Sequence, residues 1–104
     1  MFYELRAYEA QPARLSILVE RFARVNVRLF QRHGFRPIGY WTEEVGTPHR
    51  VVYLLAWETW EERERSWAGF YADLEWQRSL NELGPTVERI TSSILRPMPF
   101  SPLQ

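Results

Sequence analysis

Four polar side chains stand where a helical wheel calls for apolar ones. Asn26 and His33 fall in one arc with Phe22 and Leu29; Arg63 falls between Trp67 and Phe70, and Glu64 beside Trp60 and Tyr71. A buried polar group costs free energy unless it finds a partner, so each is either satisfied internally or faces a cavity. His33 offers an imidazole that can act as general acid or base, or as an axial haem ligand. The competing reading, which we prefer, is a helix-end histidine meeting the last carbonyls and the helix dipole. Arg63 can clamp a carboxylate in a cleft or pair with Glu4 or another acid; structural pairing is the preferred expectation. Glu4 and Arg6 alternate onto one strand face with Phe2 and Tyr8, and would form an inter-subunit ion pair if that face met a partner. Tyr3, Trp41, Tyr53 and Trp67 either line a ligand pocket or fill the core. Candidate ligand-binding residues are therefore Tyr3, Arg6, Asn26, His33, Trp41, Tyr53, Arg63 and Trp67, with His33 the one candidate for catalysis.

Several chemistries are excluded. There is no cysteine, which removes disulfides, thiolate metal sites and thiol nucleophiles. The two histidines, His33 and His49, are far apart and show no zinc spacing; no metal is expected. There is no Gly-rich phosphate loop and no defensible Ser-His-Asp arrangement. Thirteen basic residues, all arginine, balance thirteen acidic ones, so no overall field draws nucleic acid or anionic membrane. The arginines of the first helix (Arg14, Arg21, Arg24, Arg28 and Arg32) read as a solvated stripe. The N-terminal residues lack the pattern of a signal peptide, and no apolar run approaches membrane-spanning length. The expectation is a soluble cytoplasmic protein.

The elements that must position these residues follow from periodicity. A chain of 104 residues fits one domain, 1–104. Phe2–Tyr8 alternates as a strand. Ala13 to His33 reads as one long amphipathic helix with Leu15, Leu18, Val19, Phe22, Val25 and Leu29 on its apolar side, ended by Gly34. Pro37–Val45 and Val51–Trp57 read as strands joined by Gly46-Thr47-Pro48-His49, with Gly39 placed where a side chain would crowd something. Thr59-Trp60-Glu61-Glu62 is a capping box opening a helix to about Tyr71. Asp73 caps a short further turn through Trp76 and Leu80. Gly84-Pro85 stops it, and Val87–Arg96 makes the last strand. The order strand-helix-strand-strand-helix-strand is the ferredoxin-like α+β arrangement, an antiparallel sheet with both helices on one face. Yet Val51–Trp57 is apolar on both sides, so both are covered. Two helices shield one face only; a second copy, in a homodimer through the sheet face, supplies the missing layer.

Tyr3-Glu4-Leu5-Arg6, His33-Gly34, Gly39-Tyr40-Trp41, Arg63-Glu64 with Trp67 and Phe70, Asp73-Leu74-Glu75-Trp76 and the tail from Ile94 to Leu103 together resemble the NIPSNAP family over nearly the whole chain. Two departures are Tyr40 in place of Phe and Leu74 in place of Pro. The resemblance implies a dimeric α/β barrel. Relatives of that barrel include cofactor-independent monooxygenases, small isomerases, haem-degrading enzymes and stress proteins, so it carries a fold and not a reaction.

Three functions follow as expectations. The first is a small aromatic or anionic ligand held in the helix–sheet cleft, with a pocket reaching at least two of His33, Arg63 and Trp41. The second is a cofactor-independent monooxygenase or isomerase in which His33 or a tyrosine takes the proton. The third is a non-catalytic dimerisation module, in which Arg63 and His33 are satisfied internally. No cofactor is expected, haem at His33 being the exception considered.

Overall fold

A computed structural model describes residues 1–104. Strand β1 (Phe2–Ala10) leads through a turn to a helix in three parts: α1 (Leu15–Arg21), a π-helical turn (Phe22–Asn26) and α2 (Val27–Arg32). Strands β2 (Arg36–Thr42) and β3 (Arg50–Trp57) follow, then α3 (Trp60–Ala72), α4 (Leu74–Leu83) and β4 (Val87–Leu95). The sheet is antiparallel in the order β2-β3-β1-β4, as the element order predicts.

Local signals hold where a single backbone position decides them. Thr59 accepts from the Glu62 amide at 3.1 Å to open α3, and Asp73 accepts from the Glu75 amide to open α4. Gly34 takes φ of 80° beyond α2. At Gly39 a Cβ would sit 2.8 Å from the Trp41 ring, so the indole needs the bare backbone beside it. Two expectations are corrected. The long first helix is not uniform, because a π-turn interrupts it at Phe22–Asn26. The segment after Asp73 is not a short turn but the ten-residue helix α4.

Alternation sorts the strands into two faces. Glu4, Arg6 and Tyr8 of β1 and Tyr53, Leu55 and Trp57 of β3 face the helices, with Leu18, Phe22, Leu29, Phe30, Trp67, Phe70 and Trp76 closing the core over them. Phe30 touches Phe35, Tyr53, Trp67 and Phe70 within 6 Å between ring centroids, so stacked and edge-on aromatic pairs fill most of the interior. On the other face lie Tyr3, Leu5, Ala7, Val52, Leu54 and Trp41. No helix covers them. The C-terminal segment crosses one end of that face, where the Tyr3 hydroxyl donates to the Gln104 carbonyl; Leu5 (37% exposed) and Trp41 (54%) remain open.

Candidate ligand site between sheet and helices

The interior under α3 is built on one carboxylate. Glu4 is completely buried because β1 runs centrally in the sheet and α3 lies across it. Its Oε1 accepts from Trp57 Nε1 (3.0 Å), Trp67 Nε1 (3.1 Å) and Arg63 Nε (3.0 Å). Its Oε2 accepts from Arg63 Nη2 (3.0 Å), Ser92 Oγ (2.8 Å) and Arg6 Nη1 (3.3 Å). Burial by itself raises a carboxyl pKa, but the hydrogen bonds from Arg63, Trp67 and Ser92 and the Arg63 charge outweigh it and hold Glu4 at about 2.

Arg6 continues the network. Its Nε donates to the Tyr53 hydroxyl at 3.0 Å, its Nη2 to the Tyr8 hydroxyl at 3.1 Å, and its guanidinium lies 4.2 Å from the Trp67 ring centroid. The Tyr53 hydroxyl donates to that of Tyr8 at 3.0 Å. Tyr53 is fully buried, and burial raises its pKa well above that of an ordinary phenol, so it stays protonated and acts as a donor.

Arg6, Tyr53, Arg63 and Trp67, among the candidates, thus meet in one cluster, joined by Glu4, Tyr8, Trp57 and Ser92. The expected pairing of Arg63 with Glu4 is present. The inter-subunit reading of Glu4 and Arg6 is corrected: their face is covered by the chain's own helices, and the pair is internal. Tyr3 and Trp41 lie on the opposite face and do not join the cluster. Asn26, at the end of the π-turn, is fully buried with neither amide atom partnered. His33 closes α2, its Nε2 lying 2.7 Å from Asp73 Oδ2, and its Nδ1 faces Gly69, where a Cβ would lie 2.8 Å away. The ring is consumed by the α2–α4 junction, an arrangement that does not fit axial ligation of haem. None of the five main cavities reaches two of His33, Arg63 and Trp41.

The cleft opens instead beside this cluster, under α4. A cavity of about 180 Å³ lies there, walled by Tyr8, Arg21, Tyr71, Trp76, Thr86 and Ile90. Arg21 is the residue that sequence reasoning placed wrongly: it is 4% exposed, not part of a solvated stripe. The full length of α4 covers that flank of α1, and nothing in the periodicity of α1 announces a neighbour on its polar side. Arg21 Nη1 donates to Thr86 Oγ1 at 2.9 Å, and the guanidinium stands 5.0 Å from the Trp76 ring centroid. A larger hollow of about 700 Å³ lies at the sheet's end around Pro12, Pro48 and His49, but it is an open depression without converging buried groups.

Fold and site together define an α+β protein of the ferredoxin-like type, an antiparallel sheet with its helices on one face. The NIPSNAP family model matches residues 3–102, and the chain belongs to that family. A NIPSNAP-like domain protein from Burkholderia xenovorans is 31% identical, with a TM-score of 0.87 over 97% of this chain and 88% of that one. A NIPSNAP family protein with unknown function from Agrobacterium tumefaciens is 25% identical, with a TM-score of 0.90 over 100% and 94%. A Streptomyces coelicolor monooxygenase in complex with nanaomycin D is 19% identical, with a TM-score of 0.66 over 93% and 87%; it shares the fold alone. No curated protein matches the chain. No helix is long and apolar enough to cross a membrane.

Proposed function

We propose that this NIPSNAP protein is a homodimer, joined through the open sheet face, that binds a small aromatic or anionic molecule in the cleft between sheet and helices. The observation that supports it is the cavity under α4. One wall is apolar, from Trp76, Leu80 and Ile90, and the other polar, from Tyr8, Arg21 and Thr86. An apolar body with a few converging polar groups is the usual composition of a small-molecule site. At about 180 Å³ the space suits a single ring, since an engineered cavity of about 150 Å³ takes benzene. The test is a two-dimensional NMR titration with benzamide, phenol, indole and benzoate. Shifts concentrated on Tyr8, Tyr71, Trp76 and Ile90 support the reading; a spectrum that none of the four moves there rejects it.

A second reading is favoured by a specific observation. Arg63 and His33 are both committed to acids of the same chain, as a non-catalytic dimerisation module requires. That reading predicts an unmoved cleft in the same titration. Of the enzyme reading, the monooxygenase or isomerase alternative, the tyrosine half retains a geometric basis in the Tyr8–Tyr53 pair, while His33 stands outside the cleft.

A further inference from the structure

Arg21 and Arg6 are the two buried arginines. Arg6 has Glu4 as its counter-ion; Arg21 takes part in no ion pair, although eight other arginines do. A cation held out of water without an anion is costly, and the protein does little to relieve it. One Arg21 nitrogen reaches Thr86, Nε is sealed without an acceptor, and Nη2 makes no hydrogen bond within the chain.

The hydroxyls around it are in the same condition. The Tyr8 oxygen already accepts from Arg6 and from Tyr53. Its own proton therefore has no acceptor in the chain, and Tyr8 lines the cavity. Reversing the Tyr8–Tyr53 bond would instead strand the Tyr53 proton, which is sealed from any cavity. Thr86 Oγ1 accepts from Arg21, so its proton is also uncommitted, and the Tyr71 hydroxyl, which lies beside the Arg6 guanidinium, donates to no acceptor in the chain. Every polar side chain bordering the cavity thus presents a donor and none presents a carboxylate. A wall of donors around one uncompensated cation is complementary to an anion.

We infer that the cleft takes a single-ring aromatic carboxylate, its carboxylate held by Arg21 with Tyr8 and Tyr71 and its ring against Trp76, Leu80 and Ile90. The inference rests on the cleft-binding reading and narrows it to one chemical class. Arg63 and Arg6 are not the anion's partners, because Arg63 is paired with Glu4 and Glu64 and Arg6 is paired with Glu4, whereas Arg21 pairs with no acid.

The experiment compares benzoate with benzamide, its uncharged analogue of nearly the same shape, by NMR titration on the wild type, Arg21→Met and Tyr71→Phe. Benzoate binds the wild type about tenfold or more tightly than benzamide, the difference a charge-assisted hydrogen bond supplies. In Arg21→Met that preference collapses towards unity while the ligand-free protein melts no lower than the wild type, because an unpaired buried charge has been removed. Tyr71→Phe, which keeps the ring stacked on Trp67 at a half-exposed position, loses benzoate affinity a few-fold and keeps that for benzamide. Equal binding of the two compounds, or a preference that survives in both variants, overturns the carboxylate assignment and leaves the cleft reading standing. If neither compound moves Trp76 or Ile90 in the wild type, the cleft reading falls and this assignment with it.

Discussion

Glu4 and Arg63 meet fork to fork across the boundary between β1 and α3, Nε and Nη2 of the arginine each 3.0 Å from a different carboxylate oxygen. The geometry is the bidentate one that guanidinium and carboxylate favour. It is completed by two indole N–H groups and a serine hydroxyl, so the charge is surrounded by donors rather than merely paired.

Replacing Glu4 by Gln strands Arg6 over a dry interior and leaves Arg63 with only the exposed Glu64. The expected loss is about 3–5 kcal/mol, the range for breaking a buried pair from one side, read from urea unfolding. The pH dependence follows with its sign. Glu4 is held at about 2 in the folded chain against an ordinary value of 4.5, so its contribution is complete above pH 4.5 and disappears as pH falls towards 2. The shift corresponds to roughly 3 kcal/mol. Asp73 is drawn from an ordinary 3.8 down to about 2, first by the hydrogen bond from His33, and acts over the lower part of that range. Glu4→Gln should therefore flatten the acid limb of the stability curve without abolishing it. An unchanged limb contradicts the assignment.

Tyr40 stacks on Tyr53, 5.7 Å between centroids, and meets Phe22 edge-on. Its hydroxyl is sealed without a partner, and burial has pushed its pKa up to about 12. Tyr40→Phe keeps the stacking and removes the orphaned group. Thermal unfolding should show a gain of about 1 kcal/mol; a loss would mean that the hydroxyl has an acceptor after all.

Gly69 sits inside α3, where alanine ordinarily adds about 0.8–1 kcal/mol. Here the new methyl meets the His33 ring, which Asp73 fixes in place. Gly69→Ala is expected to lose about 1–2 kcal/mol instead, and the double variant with His33→Ala to recover most of it. Chemical denaturation of the three variants forms the cycle, and additive losses would show that ring and methyl do not collide.

Leu54, with Leu5 opposite it, lies at the middle of the sheet face that no helix covers. A glutamate there faces its own copy if two sheets pack together. Leu54→Glu should convert a dimer to a monomer in light scattering, with the fold retained by circular dichroism. A wild-type protein that is already monomeric removes the quaternary proposal.

Much of this architecture is legible in the chain because single residues or strict alternation decide it. Thr59 with Glu62 starts a helix, Gly34 ends one, and the period of two in Phe2–Tyr8 separates Glu4 from Leu5. The first-helix wheel fails for a definable reason. A wheel assumes one neighbour on one side, whereas α1 is packed against the sheet below and α4 beside it, so Arg21 is buried from a flank its own periodicity cannot report. The π-turn compounds this by changing the angular step at Phe22–Asn26, the stretch that carries Asn26. The cleft is hidden for a related cause: Tyr8, Tyr71 and Thr86 come from β1, α3 and the turn before β4, and no periodicity within one element brings them together.

Apart from Arg6, two residues on, the partners of Glu4 lie 53, 59, 63 and 88 residues away along the chain, so none of those four bonds can form early. Each requires a long loop to close first, at an entropic cost that only the later contacts offset. The carboxylate thus joins β1 to β3, α3 and β4 only once the topology is finished. A chain arrested with α3 undocked leaves the Glu4 charge without Arg63 and Trp67 in an aromatic interior, which makes position 4 a checkpoint between partly folded and native states.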